Sequence, residues 1–343
     1  MTLPVTIHQN YSLIHQNTLG LPSIARYYAE VNTVEGLQEA LTFAKENGLV
    51  ILPLGGGSNV VLGDVLDALV IHINLKGLSV VRRDERQVTV TAQAGENWHE
   101  FVLWTIHQEA YGLENLSLIP GCVGAAPIQN IGAYGVEIKD YFVSLDAVNI
   151  STGNVEQFDN LDCCFGYRDS VFKGEKKDQY IIISVTFALD AVLSPRLGYG
   201  QLADSLSKEH GDSVLTALQI SQAVCDIRQE KLPDPKTIGN AGSFFKNPEV
   251  DQQTMERLKK EYPDIVAYPV GEKWKLAAGW LIDRAGLRGV QQGSVGTYQK
   301  QALVLINHGG ATGSDIMAFS QYVLEKVKNQ FGVELEREPR VYR

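Results

Sequence analysis

Residues 119–135 read Ile-Pro-Gly-Cys-Val-Gly-Ala-Ala-Pro-Ile-Gln-Asn-Ile-Gly-Ala-Tyr-Gly, and no other stretch limits the fold so tightly. Side chains this small make a poor core, yet they leave a backbone that can be approached closely. The segment therefore suits a wall for a flat ring, with Gln129, Asn130 and main-chain amides serving its heteroatoms. A second loop of small residues, Gly55-Gly56-Gly57-Ser58-Asn59, follows the apolar run 49–54 and precedes Val60 and Val61, giving strand, glycine loop and return. Its successive amides suit a pyrophosphate, and Ser58 and Asn59 add donors. It is neither a G-x-G-x-x-G opening a helix nor a Walker sequence, and a plain glycine-rich hairpin accounts for it equally well. Two such loops in one chain imply a large cofactor carrying both phosphates and a ring.

A chain of 343 residues, 44% hydrophobic, is long enough for two or three domains. Its net charge of −10 argues against a non-specific nucleic-acid binder, which needs a basic face. No run reaches the roughly 18 uninterrupted apolar residues of a membrane span, and residues 1–17 lack the order of a signal peptide, so the expectation is a cytoplasmic protein without a membrane partner. Cys122, Cys163, Cys164 and Cys225 show no metal-type spacing, and the adjacent pair is poorly placed for an ordinary disulfide. They read as reduced, packed thiols, and no metal site is expected.

Local patterns give an α+β order. Asn32 and Thr33 can cap a helix over 33–47 whose apolar Val34, Leu37, Leu41 and Ala44 recur at helical spacing until Asn47-Gly48. Strand-like runs fall at 68–73, 87–94, 141–149, 155–158 and 180–189. Helices fit 98–109, with an apolar face of Phe101, Val102, Thr105 and Ile106, and 214–228, which Ser213 can cap. Pro233 and Pro235 make a stiff break, so a connector is expected over 205–235 with a smaller α/β domain beyond it. No long coiled-coil pattern is present, and a monomer is the expectation.

After that break comes Asn240-Ala241-Gly242-Ser243-Phe244-Phe245-Lys246-Asn247-Pro248. Gly242 permits close approach or positive φ, Phe244 and Phe245 can wedge the turn against a core, and Ser243 is left with few directions to point. A tight turn explains the glycine and asparagine as well as an aimed hydroxyl does.

With both loops, Asn17-Thr18-Leu19-Gly20, Gly166-Tyr167-Arg168-Asp169-Ser170, Lys231-Leu232-Pro233-Asp234-Pro235-Lys236, residues 239–248, Ala278-Gly279-Trp280-Leu281-Ile282-Asp283 and 335–340 in order, the sequence resembles the UDP-N-acetylenolpyruvoylglucosamine reductases, the MurB family, in its larger type I class. The resemblance implies non-covalent FAD in a two-part region of the vanillyl-alcohol-oxidase (PCMH-type) class. That region covers 1–204, in parts of about 1–75 and 76–204. A substrate-binding domain is implied over 236–330, and 331–343 returns to the active site. It implies NADPH as reductant and reduction of UDP-N-acetylglucosamine enolpyruvate to UDP-N-acetylmuramate for peptidoglycan, with hydride from flavin N5. The proton donor falls on Ser243, the enolate-stabilising arginine on Arg168, and the glutamate on Glu338, with Glu336 the alternative because Arg337 and Pro339 depart from the family pattern. Cofactor contacts fall on Gly55, Gly56, Gly57, Ser58, Asn59, Pro120, Gly121, Gly124, Ala125, Gln129, Asn130, Gly132, Ala133 and Tyr134. Substrate contacts fall on Tyr167, Tyr199, Lys231 and Asn247. A flavin oxidase acting on a sugar or alcohol is the rival; it needs a base at the flavin, and the seven histidines, among them His72, His99, His107 and His308, sit outside the matched loops. A flavin-binding sensor without turnover is the third reading.

Overall fold

The structure is a computed structural model that describes residues 5–198, 201–211 and 213–343. The chain forms two compact units. The first comprises 1–11, 26–56 and 67–230; the second comprises 12–25, 57–66 and 231–343.

The first unit has two sheets. One has the strand order His8–Ser12, Ile24–Val31, Val65–Ile73, Val50–Leu54, with the last two parallel. Against it lies the helix Val34–Glu46, which starts where Thr33 Oγ1 accepts from Gly36 N at 3.0 Å and buries Leu37, Ala40, Leu41 and Ala44. The other sheet is antiparallel throughout, in the order Val155–Asp159, Phe142–Asn149, Tyr180–Asp190, Gln87–Gln93, Leu78–Arg83. Its alternating apolar residues face the helix Trp98–His107, where Trp98, Phe101 and Phe187 pack ring on ring with centroids 5.4–6.1 Å apart.

Several expectations are corrected here. The glycine loop does not close a hairpin: Val50–Leu54 pairs with Val65–Ile73, whereas Val60–Leu62 pairs in parallel with the C-terminal strand Arg340–Tyr342. The loop moves the chain from one sheet to another, which hydrogen-bonding partners far away in sequence decide. Within the expected connector 205–235, Leu202–His210, which was not expected, shares a small core of Leu202, Leu206, Ile220, Ala223, Val224 and Ile227 with Ala217–Lys231, the observed form of the helix expected over 214–228. Thr216, not Ser213, caps the second helix: its Oγ1 accepts from Gln219 N at 3.2 Å while Gln219 Oε1 accepts from Thr216 N at 2.8 Å. Cys164 is exposed rather than packed, while the other three cysteines are buried and free.

The second unit holds an antiparallel sheet in the order Gly239–Ser243, Gln301–Asn307, Val295–Tyr298, Gln291–Gln292, and a small sheet built from Glu249–Val250, Lys273–Leu276 and Ala267–Val270. Its longest helix, Gly313–Phe331, was not anticipated; a Thr312–Asp315 capping box opens it and Gly332 closes it at positive φ. Leu281 is fully buried, and Trp280 packs on Tyr262 and Phe331 at 6.0 and 5.9 Å. Among the described residues, no helix is long and apolar enough to cross a membrane.

In the first unit a carboxylate sits inside. Glu114 is 2% exposed and accepts from Gly112 N at 2.7 Å, and burial raises its pKa above the usual carboxylate range. A raised folded pKa means the native state holds the proton more tightly than the unfolded chain. The stability this contributes is present in acid and lost as pH rises through the folded pKa. Glu114→Gln keeps an oxygen for Gly112 and cannot ionise. Urea unfolding should find it more stable than wild type near neutral pH, with that advantage disappearing below the ordinary carboxylate pKa.

Candidate active site

The two small-residue loops meet within the first unit. A Cβ on Gly56 would come within 3.1 Å of Gly121 Cα, so main chain lies on main chain there, whereas one on Gly55 would come within 2.4 Å of the Cys122 Sγ. The 119–135 loop is itself laid on the 94–98 segment: Val123 N donates to Glu96 O, Gly124 N to Ala94 O, and Trp98 N to Gly121 O. Pro120 and Ala125 are exposed, while Gly121, Gly124, Gln129, Gly132, Ala133 and Tyr134 are half-buried, so this backbone remains approachable. Asn130 behaves differently from the sequence expectation. It is fully buried at φ 43°, its Nδ2 donates to Glu137 Oε2 and Gly166 O at 3.0 Å each, and its Oδ1 accepts from Lys139 N at 3.2 Å. Its side chain shapes the loop, leaving only its main chain for a cofactor.

Arg168 stands at the tip of a tight turn. Gly166 and Asp169 pair through Gly166 N to Asp169 O at 3.0 Å, and Arg168 has φ 53°, a left-handed conformation that few non-glycine residues adopt. Three ties hold the turn to the small-residue loop: Ser170 Oγ to Ile128 O at 2.7 Å, Asn130 to Gly166 O, and Arg168 Nη2 to Gly132 O at 2.5 Å. The Arg168 guanidinium also lies 5.3 Å from the Tyr167 ring centroid. Arg228, on the helix Ala217–Lys231, was not singled out from sequence. Its Nε donates to Leu118 O at 3.3 Å, and burial, with a contribution from Arg168, lowers its pKa. Among the described residues neither Arg168 nor Arg228 forms a salt bridge; each guanidinium instead donates to a main-chain carbonyl, Gly132 O and Leu118 O.

Ser243 belongs to the second unit, at the end of a strand with one extra residue: Asn240 pairs with Ile306, but Ser243 pairs with Val304. Gly242 in the bulge has φ 66°, and its N–H is held by Asn240 Oδ1 at 3.0 Å. Phe244 and Phe245, both buried, are the expected wedge. The C-terminal segment runs beside them, with Glu338 N donating to Phe244 O and Lys246 N to Glu336 O, both at 2.9 Å. Glu336 is then tied to Lys246 Nζ at 2.6 Å. Arg337, which breaks the family pattern, anchors the segment by donating to Ser320 Oγ and Gln321 Oε1 at 2.8 Å each. Arg340 N donates to Asn59 O at 3.0 Å and Thr18 N to Gly57 O at 3.1 Å, so Gly57, Ser58 and Asn59 share this unit with Ser243 and Glu338. Asn247 Oδ1 accepts from Ala278 N at 2.9 Å, and Lys231 is half-buried at the start of the unit. Tyr199 lies outside the described residues, although Asn115 Nδ2 holds Arg196 O just before it at 2.8 Å. Among the described residues no cluster of His, Cys, Asp or Glu is suited to a metal ion.

Residues 25–159 match the FAD binding domain family, and 234–342 match the C-terminal domain of UDP-N-acetylenolpyruvoylglucosamine reductase. The chain is thus an FAD-dependent oxidoreductase, and the paired loops fit that cofactor, because small residues leave two lengths of main chain open side by side. Curated UDP-N-acetylenolpyruvoylglucosamine reductases from Pseudomonas putida and Pseudomonas aeruginosa are each 47% identical to it over 99% of this chain and 100% of theirs; that from Flavobacterium johnsoniae is 47% identical over 98% and 99%. The chain belongs to the UDP-N-acetylenolpyruvoylglucosamine reductase family. The crystal structure of the Thermus caldophilus reductase (MurB), 22% identical, covers 100% of both chains with a TM-score of 0.65 and shares the fold. The α+β class and FAD expected from sequence are borne out.

Gly132 is the tightest point around Arg168: a Cβ there would stand 2.8 Å from Glu137 Cγ, 2.9 Å from Val136 O and 3.2 Å from Arg168 Nη1. Gly132→Ala should lower the stability read by urea unfolding by about 1–3 kcal/mol and depress turnover as Arg168 shifts. Gly174→Ala, whose Cβ would approach only Val171 O at 4.0 Å, should leave both near wild type.

Proposed function

We propose that the protein reduces UDP-N-acetylglucosamine enolpyruvate to UDP-N-acetylmuramate at the expense of NADPH, as a single-subunit cytoplasmic enzyme of peptidoglycan precursor synthesis. The region 1–204 serves FAD, 236–330 the nucleotide sugar, and 331–343 brings Glu338 back to the reacting group. FAD, held by the loops 55–59 and 119–135, would supply the hydride chemistry, drawing on NADPH and reducing the terminal carbon of the enol ether.

The residues of this chain manage the charge and the proton. Hydride addition leaves negative charge on the carbon next to the carboxylate, and Arg168 grips that carboxylate while stabilising the enolate. The observation that carries this reading is a guanidinium held at a strained turn tip by Gly132 O, with no salt bridge of its own among the described residues. Ser243 then donates its hydroxyl proton to that carbon. A serine is a weak acid, so position matters more than pKa, and the bulge clamped by Asn240 supports a fixed position. Glu338 is favoured over Glu336 because its backbone is bonded to Phe244, next to Ser243, whereas the Glu336 carboxylate is engaged by Lys246. Tyr167, Tyr199, Lys231 and Asn247 contact the nucleotide sugar. The loops 55–59 and 119–135 hold FAD.

Anaerobic reduction of the yellow protein with NADPH, followed by addition of the enolpyruvyl nucleotide, should restore the flavin absorbance rapidly. A band that stays bleached until oxygen is admitted points to the oxidase reading instead. In the same assay Ser243→Ala should leave reduction by NADPH intact and slow reoxidation by the substrate at least about 100-fold, the low end for general acid catalysis.

A further inference from the structure

Thr18 spends each of its polar groups on joining two functional segments. Its N–H donates to Gly57 O at 3.1 Å, its C=O accepts from Asn240 N at 3.0 Å, and its hydroxyl lies 2.7 Å from Asn240 O and 3.4 Å from Gly57 O. A hydroxyl has one proton, and the shorter contact takes it. Asn240 is 3% exposed, and its side chain is committed as well, with Nδ2 donating to Pro233 O and Ile238 O and Oδ1 accepting from Gly242 N. A continuous run of hydrogen bonds thus passes from the glycine loop through Thr18 and Asn240 to the bulge that carries Ser243.

The neighbouring backbone prevents this run from relaxing. Gly57, at φ 61°, presses against Gln16 so closely that a Cβ would stand 2.0 Å from Gln16 O. Asn17 is locked by its own side chain, donating to Leu13 O and Leu21 O and accepting from Leu21 N. Thr18 is therefore fixed on both sides, and its hydroxyl sets the carbonyl of the residue at the base of the bulge.

We infer that Thr18 is a positioning residue: through Asn240 it holds the Ser243 hydroxyl in register with the Gly57–Asn59 segment, so that proton donation and the cofactor loop keep one geometry. This rests on the reading that Ser243 is the proton donor. Thr18→Val preserves shape and both main-chain bonds but removes the hydroxyl, whereas Thr18→Ser retains it.

Two readouts test the inference. In stopped flow, Thr18→Val should be reduced by NADPH within about twofold of wild type, yet be reoxidised by the enolpyruvyl nucleotide about tenfold more slowly, the size one neutral hydrogen bond supports, with a larger solvent isotope effect. Thr18→Ser should restore the rate. In amide hydrogen exchange, Thr18→Val should lose protection at Asn240 and Gly242 while the strand Gln301–Asn307 keeps its own. Equal slowing of both half-reactions, or unchanged reoxidation, overturns the inference, and so does unchanged exchange at Asn240 and Gly242. If wild type itself is not reoxidised by the nucleotide, the functional reading fails, and the exchange measurement still decides whether Thr18 fixes the bulge.

Discussion

The second unit depends on a close passage of backbone past backbone. Residues 16–20 run where no side chain fits: Gly57 faces Gln16 O on one side, and on the other a Cβ on Gly239 would stand 2.4 Å from Leu19 O. Asn307, from the neighbouring strand, donates to the same Leu19 O at 2.8 Å. Main chain brought this near must exchange hydrogen bonds or forfeit them, and here Gly57, Asn240 and Asn307 supply the partners. A short N-terminal segment thereby becomes the spine of a unit most of whose other residues arrive more than two hundred positions later.

Much of the first unit was legible because its patterns are local. The helix at 33–47 and the strands from 87 to 189 follow from hydrophobic period and capping, and the observed ends differ by only a residue or so. Long-range partnerships were not legible. Nothing at 60–62 announces a parallel partner at 340–342, and nothing in Arg337 announces that its guanidinium grips Ser320 and Gln321. The hairpin alternative at 55–57 fails for that reason: glycine content signals that the chain can turn tightly, not which strand it next joins.

The candidate site divides the same way. Gly, Ser and Arg in ordered motifs could be found by eye, since few side chains offer a weak acid or a planar cation. The supporting groups were harder to find because their importance lies in whom they bond. Asn130 reads from sequence as a polar exception aimed at a ligand, yet its donors and acceptor are committed inside the protein. Asn240 reads as a turn residue and Thr18 only as one position of a family motif, yet between them they clamp the strand bearing Ser243.

These placements explain how weak chemical groups can suffice. A serine hydroxyl has little driving force as an acid, and a guanidinium in open water would be screened. Each is therefore attached to backbone that has few alternatives. Arg168 sits at a positive-φ turn tied three times to one loop, and Ser243 follows a one-residue bulge whose amide and carbonyl groups are held by named partners. The strain at the turn and the irregularity of the strand oppose regular secondary structure, and both occur at the two residues to which the proposed mechanism assigns the charge and the proton. The proposed mechanism thus rests on fixed geometry, and the residues that fix it are as much a part of the candidate site as Arg168 and Ser243.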